Sequence, residues 1–244
     1  MLNNTFTRLE AAFAQQKQFT ADASHELRTP ITVLISEAQT ALSRERSAAE
    51  YRDSLQTCLA TAQQMRTLAQ SLLELARYDA GQERMKHEPV DLAEQARVCA
   101  DLIRPLANER GIEVRCDLAP AVTTGDPVRL NQVITNLLTN ALHYNLGRGA
   151  IHLATRDEGS NALLSVADLG AGIAPEDLPH VFERFYRSDK ARSSSTGRTG
   201  LGLAICKAIV DSHGGLIVAN SKMGEGASFQ VRLPKPTSTP GAKG

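Results

Sequence analysis

The sequence predicts an α+β protein: a pair of long helices in a hairpin, followed by a sheet covered on one face by helices. Three observations predict it. Apolar residues recur at three- and four-residue steps over 5–45 and again over 50–79. The stretch AGQERMKHEPV, residues 80–90, breaks that rhythm with Gly81 and Pro89. Beyond it, short alternating stretches interleave with helical ones.

In the first helix the stripe is Ala23, Leu27, Ile31, Leu34, Ala38 and Ala41. In the second it is Leu55, Leu59, Ala62, Leu68, Leu72 and Leu75, and Arg, Glu and Ser fill the turn over 43–49. A lone hairpin with one apolar face per helix buries too little, so two copies are expected to pair as a dimeric four-helix bundle. Residues 81–90 read as a linker. LAEQARVCADLIRPLA (92–107) reads as a helix that Pro105 should kink or end. IEVRCDL (112–118), IHLAT (151–155), ALLSVAD (162–168), GLIVAN (215–220) and ASFQVRL (227–233) read as strands. VRLNQVITNLLTNAL (128–142) and LGLAICKAIVDSH (201–213) read as helices, and the tail from Pro234 as disordered.

The chain has 244 residues, of which 42 % are hydrophobic, enough for a core of normal size. Acidic and basic residues balance at 27 each, which gives no reason to expect a bulk polyanion as partner. Aromatics are few and tryptophan is absent, against a base-stacking nucleic-acid platform. Cys58, Cys99, Cys116 and Cys206 lack metal-ligand spacing and read as buried thiols of a reducing compartment. No apolar run approaches the ~18 residues of a membrane span. Arg8 and Glu10 stand where a signal peptide would have its apolar region.

The most pointed stretch is ASHELRTP, residues 23–30. A helix turns about 100° per residue, so His25 lies about 200° from the stripe residue Leu27. Its face carries Gln18, Asp22, Arg28, Thr29 and Thr32. A solvated surface histidine fits that face. So does a nucleophile, because imidazole attacks well near neutral pH and the adjacent Glu26 can orient it and take its proton. Thr29, one turn on, is placed to hold a water. Pro30 removes an amide and crowds the Glu26 carbonyl, so a bend is expected there; a tolerated kink reads equally well.

Further on, Asn136 and Asn140 project from one helix face. They are either polar surface or hard oxygen donors of the kind Mg²⁺ takes. DLGAGI (168–173) ends a strand in a glycine turn, and TGRTGLGLAI (196–205) is a glycine turn opening a helix, where free amides and the dipole favour an anion. The second turn lacks the lysine and hydroxyl of a P-loop and does not follow a strand as a dinucleotide fingerprint would. VFERFYRSDK (181–190) carries Phe182, Phe185 and Tyr186 as if on one face of a short helix.

FTADASHELRTP (19–30) resembles the phosphoacceptor box of the sensor histidine kinases of two-component systems, and the later motifs follow in that family's order. The resemblance implies that His25 takes the γ-phosphoryl group of ATP, helped by Glu26 and Thr29, and hands it to an aspartate on a response regulator receiver domain, with phosphatase activity in the reverse sense. It implies a second domain with the histidine kinase, gyrase and Hsp90 type of α/β-sandwich fold. There Asn140 would hold Mg²⁺, with Asn136 a less favoured ligand standing where related ATPases carry a catalytic glutamate. Tyr144 would pack on adenine, Asp168 accept from its amino group, Gly170 and Gly172 allow close approach, and Ile173 form an apolar wall. Phe185 would anchor a mobile lid over 187–198, with Arg187, Lys190, Arg192 and Arg198 as basic candidates for the phosphates. Thr199, Gly200, Leu201, Gly202 and Leu203 would line the phosphate turn. His143 stands where lysine or arginine is usual, Leu169 where asparagine is frequent, and Arg198 where a second glycine is frequent.

The implied layout is a HAMP-like signalling helix end at 1–18, a dimerisation and phosphotransfer domain at 19–80, the linker at 81–90, an ATP-binding domain at 91–235 and a tail at 236–244. The expected partners are a second copy and a receiver domain, with no direct nucleic acid. A membrane would enter only through a missing N-terminal sensor region, this part being the cytoplasmic domain of an inner-membrane sensor. An ATPase clamp of the same nucleotide fold and a non-catalytic dimeric scaffold are the rival readings. Asn136 in place of glutamate speaks against the first, and intact His25, Asn140 and Asp168 against the second.

Overall fold

The computed structural model describes residues 2–83, 85–145, 149–187 and 199–236, and for 2–16 the backbone only. It divides into two compact units, one of Met1–Ala76 with Asp189–Leu201, the other of Arg77–Ser188 with Gly202–Gly244.

The first unit holds α1 (Leu2–Leu42) and nearly all of α2 (Ala48–Asp79), joined by the turn at 43–47. α1 runs through Pro30, which is buried. Few side chains of this unit are buried: Leu68 and Leu75 are, while Ile31, Ile35, Leu42, Leu55, Leu59 and Leu73 remain exposed. A groove of about 480 Å³ lies along α2 between Tyr51, Leu55 and Leu59.

The second unit is built on a five-stranded sheet of β2 (Ile112–Leu118), β4 (Gly149–Glu158), β5 (Asn161–Asp168), β6 (Leu216–Lys222) and β7 (Gly226–Pro234), in the order β2-β4-β5-β7-β6. The β2–β4 pair is parallel and the others are antiparallel. Burial alternates along β5, with Ala162, Leu164, Val166 and Asp168 all buried. Against the sheet pack α3 (Leu92–Glu109), α4 (Pro127–Tyr144) and α5 (Gly202–Ser212). Leu137, Leu138, Ile151 and Leu153 are fully buried between these layers.

Side-chain caps fix both helix starts that matter here. Asp91 accepts from Ala93 N at 3.0 Å to open α3. Asp126 accepts from Val128 N at 2.9 Å to open α4, with Pro127 in its first turn.

Four sequence expectations are corrected. Glu88–Asp91, which overlaps the segment 81–90 read as linker, forms β1, which pairs with β3 (Val122–Gly125); both strands are four residues long and find each other across the intervening α3 and β2. α3 passes through Pro105 to Glu109. Pro105 and Asp101 both lie on the exposed side of α3, where water can serve the carbonyl that Pro105 leaves without an amide. Residues 181–187 form turns instead of a helix. Phe185 adopts φ 61°, Phe182 packs edge-on against Phe229 at 6.2 Å, and Tyr186 donates to Asp177 Oδ1 at 2.5 Å, so the three aromatics serve different partners. Cys99 and Cys206 are buried, but Cys116 is exposed and Cys58 half-buried. Among the described residues no helix is long and apolar enough to cross a membrane.

Candidate active site

On α1 the side chains of His25, Glu26 and Thr29 are all exposed. None of the three makes a side-chain hydrogen bond among the described residues. Their neighbours differ: Ser24 Oγ bends back to Thr20 O at 2.8 Å and Thr32 Oγ1 to Arg28 O at 3.0 Å. The hydroxyl of Thr29 and both nitrogens of His25 are therefore open to an incoming group.

In the second unit the C-terminal end of α4 meets the turn that follows β5. Asp168 is only 6 % exposed. Its Oδ1 accepts from Gly170 N at 2.8 Å, and its carboxylate also accepts from the Ala227 amide. Burial pushes its pKa above the ordinary carboxylate range, and the two amide bonds pull the other way. Gly170 is required here, because a Cβ would run into the Tyr144 carbonyl. At Gly172 a Cβ would meet the Lys222 carbonyl. Ile173 N donates to Ser221 Oγ at 2.8 Å, and Ser221 Oγ donates to Gly226 O at 2.6 Å. Gly224 N donates to Ala171 O at 2.8 Å. The β6–β7 turn thus braces the turn at 168–173.

Asn136 and Asn140 are both half-buried on α4. Asn136 Nδ2 donates to Gly202 O at 3.4 Å, which joins α4 to the start of α5. The side chain of Asn140 makes no hydrogen bond among the described residues. Its carboxamide oxygen is a free hard donor, which suits a divalent cation such as Mg²⁺ that also takes phosphate oxygens. Leu203 is half-buried at the start of α5. Tyr144 is 45 % exposed at the end of α4. Arg110 Nη1 lies 3.4 Å from His143 Nδ1, and a guanidinium can only donate, so that nitrogen is the acceptor. Phe185, just before the expected lid, and Arg187, its first residue, are both half-buried.

The structure therefore brings Asp168, Gly170 and Tyr144 together where the end of α4 meets the turn after β5, with Asn140 about one turn and Asn136 about two turns earlier on α4. Thr199, Gly200 and Leu201 group with the other unit; Gly200 has φ 68° and Leu201 is fully buried. Lys190, Arg192 and Arg198 lie outside the described residues.

Two features escaped the sequence reading. One is the bracing turn at Ser221–Gly226, whose Gly224 and Gly226 are a turn signal without any pointer to its distant partner. The other is Arg184, which donates to Asp79 through Nη1 at 2.8 Å and Nη2 at 2.5 Å and so ties 181–187 to the last turn of α2.

Residues 15–81 match the His Kinase A (phospho-acceptor) domain family, and residues 125–237 match the histidine kinase-, DNA gyrase B- and HSP90-like ATPase family. The sensor histidine kinase CusS of Escherichia coli K12 is 36 % identical over 232 residues, which cover 95 % of this chain and 48 % of CusS. The chain spans about half the length of the curated relatives it matches. The solved mycobacterial sensor histidine kinase MprB is 30 % identical, with a TM-score of 0.54, over 61 % of this chain and 97 % of that one. Full-length ShkA, solved in complex with AMPPNP, is 27 % identical, with a TM-score of 0.67, over 89 % of this chain and 45 % of that one. The phosphoacceptor and ATPase matches, in this order on one chain and together with the MprB likeness, show that the chain belongs to the sensor histidine kinase family of two-component systems.

Proposed function

We propose that the chain is the kinase portion of a two-component sensor, which takes the γ-phosphoryl group of ATP onto His25 and passes it to an aspartate on a response regulator receiver domain. The observation that carries this reading is the exposure of His25, Glu26 and Thr29 together on one helix that matches the phospho-acceptor family. A phosphoacceptor must be reachable by two large reactants in turn, and an imidazole with neither nitrogen engaged is ready for both.

The reaction is an in-line displacement. A nitrogen of His25 forms a bond to the γ-phosphorus as the bond to the β,γ-bridging oxygen breaks, and ADP leaves. Glu26 orients the ring and takes the proton that the imidazole loses. In the second unit Asp168 accepts from the adenine amino group, while Gly170 and Gly172 keep backbone, and not side chain, against the base. Ile173 and Tyr144 offer apolar cover. Mg²⁺ held by Asn140 would neutralise phosphate charge. The free amides at the Gly202 end of α5, with Leu203 behind them, favour the anionic phosphates. Thr199, Gly200, Leu201, Arg187 and Lys190 extend that cradle in this reading, and Phe185 anchors it. Asn136 lacks the basicity to draw a proton from water, which favours transfer to His25 over hydrolysis. Glu26 and Thr29 also suit an attacking water, so dephosphorylation of the regulator belongs to the same proposal.

The chain acts as a homodimer. The exposed Leu55 and Leu59 beside the groove on α2 are the kind of surface a second hairpin would cover. We place this part on the cytoplasmic side of a membrane-anchored sensor, with no nucleic acid among its direct partners. The domain limits of this reading are 1–18, 19–80, 81–90, 91–235 and 236–244.

The test is incubation with γ-labelled ATP, followed by acid or base. A phosphohistidine loses its label in acid and keeps it in base. Label stable in acid, or absent altogether, would overturn the proposal. Asn140→Asp should cut the labelling sharply, and normal labelling would mean that the metal is held elsewhere.

A further inference from the structure

His213 follows α5 and has no part in the reading above. It is buried, and both ring nitrogens are engaged. Nδ1 lies 2.7 Å from Ile209 O, which can only accept, so Nδ1 carries the proton. Nε2 must then be the acceptor, and it takes the Asp126 N–H at 3.0 Å. The partners therefore fix the neutral tautomer. Room for the ring comes from Gly125, where a Cβ would lie 2.5 Å from His213 Cδ2.

Asp126 is the residue that opens α4. Its side chain accepts from Val128 N at 2.9 Å and from Lys86 N at 3.2 Å. The contacts between α4 and α5 form three rungs in antiparallel order: His213 to Asp126, Cys206 Sγ to Val133 O at 3.8 Å, and Gly202 O from Asn136 Nδ2 at 3.4 Å. The last rung sits at Asn136, one turn before Asn140. The middle one is a weak thiol contact on an apolar interface, without the directionality of the His213 bond. The His213 rung is a strong, directional bond at the far end.

We propose that neutral His213 is a positioning residue for the nucleotide site: it fixes the axial position of α5 along α4, and with it the placement of the Gly202 end against Asn136, one turn before Asn140. The inference rests on the nucleotide-binding reading of that site. Protonation puts a hydrogen on Nε2 facing the Asp126 N–H, and the rung is lost. Two titratable groups face the ring, the Asp126 carboxylate, which favours the imidazolium, and His87, which opposes it. Burial is the larger effect and holds the pKa below the ordinary 6.5, so the rung is intact at neutral pH and fails on acidification below that value.

The test compares wild type, His213→Leu and His213→Gln in the full chain. Leucine removes the acceptor and leaves the Asp126 amide unsatisfied, while glutamine restores an acceptor that does not titrate. Two readouts are used: affinity for a fluorescent ATP analogue with Mg²⁺ between pH 5 and 8, and hydrogen exchange of the 202–206 amides without nucleotide. His213→Leu, with a wild-type circular dichroism spectrum, should bind roughly tenfold more weakly at pH 7.5 and exchange faster at 202–206. His213→Gln should restore both and lose the part of the acid decline that belongs to the protein, since changes in the charge of ATP act on both proteins alike. A folded His213→Leu with wild-type exchange and affinity would overturn the proposal, as would an unchanged acid decline in His213→Gln. If wild type fails to bind the analogue, the nucleotide reading falls, and the exchange comparison alone decides the role of His213.

Discussion

The two units solve opposite problems. In the hairpin the chemically pointed residues are exposed, and among the described residues no side-chain hydrogen bond engages them: His25, Glu26 and Thr29 are open, and Leu55 is 68 % exposed on the same kind of open helix. In the second unit the pointed residue is enclosed: Asp168 is buried, bonded to two amides and followed by a turn whose Gly170 and Gly172 have no room for a Cβ. Under the proposed roles the contrast makes physical sense: a group that reacts with large partners has to be open, whereas a group that distinguishes one base from another gains from a dry, fixed surround. The difference also concerns stability. The sheet unit completes its own core, but the hairpin leaves apolar surface that only further burial can use.

The sharpest way to break the comparison is at His25. His25→Gln should abolish acid-labile labelling from ATP and leave affinity for an ATP analogue unchanged, because the proposed nucleotide contacts Asp168, Gly170 and Asn140 belong to the second unit and His25 to the first. Labelling that survives would move the acceptor elsewhere. A joint loss of labelling and nucleotide affinity would mean that reaction and recognition are not divided between the units.

Next come the paired deletions Leu137→Ala and Leu55→Ala. Leu137 is fully buried between α4 and the sheet, so truncation should cost about 3 kcal/mol in urea unfolding of the second unit. Leu55→Ala removes exposed surface and should cost under about 0.5 kcal/mol in the monomer. Its effect should appear instead as weaker self-association in sedimentation at falling concentration. A large concentration-independent loss from Leu55→Ala would mean that the hairpin is complete without a partner.

How much of this was legible in the sequence divides along the same line. Helices declared themselves by stripes, and the open face of His25 followed from its angle to Leu27. Asp168 and its glycines were found as a turn after a strand. What holds them was not legible, because Ser221, Gly224 and Ala227 arrive from about fifty residues away and no local pattern links the two turns. β1 and β3 are short and long-range, so periodicity had too little to count. Phe182, Phe185 and Tyr186 mimic helical spacing, and tertiary partners overrode it. His213 looked like an ordinary helix end, since its two partners lie one turn back and eighty-seven residues away. One local signal was readable and went unread: S-A-A-E at 47–50, an N-terminal capping pattern.

A smaller effect tests the enclosed side. Asp168→Asn should weaken ATP-analogue binding by about 2 kcal/mol, the value of a charge-assisted bond. Stability should move the other way. The folded pKa of Asp168 lies above its unfolded value of 3.8, so the charged carboxylate opposes folding at neutral pH, and that opposition fades as pH falls through the folded value. Asparagine carries no charge at any pH. The nucleotide-free variant should match or exceed wild type in melting temperature at pH 7, with the margin closing on acidification. A clear loss of stability at pH 7 would show that Asp168 serves the fold and not only the ligand.

The smallest expected effect sharpens the account of the hairpin. Ser47 precedes α2, and its N–H and Oγ donate to Glu50 Oε2 at 2.8 and 2.9 Å, while Glu50 N donates to Ser47 Oγ at 3.3 Å. These bonds to Ser47, with Arg46 and Arg44 nearby, hold the Glu50 carboxyl below the ordinary 4.5. The cap is therefore fully present above that value and is lost as pH falls through the lower folded one. Ser47→Ala should cost about 1 kcal/mol, read as faster amide exchange over 48–51, and Ser47→Thr should restore most of it. In a helix pair with so little buried side-chain surface, a local cap is a large share of what holds the first turn. The same truncation at Asp91, which opens α3 beneath the sheet, should leave exchange in α3 nearer to wild type, because Leu92, Ala93 and Ala96 are buried directly behind the cap. Equal responses at the two caps would mean that the hairpin is as well supported as the sheet unit, and the contrast drawn between them would fail.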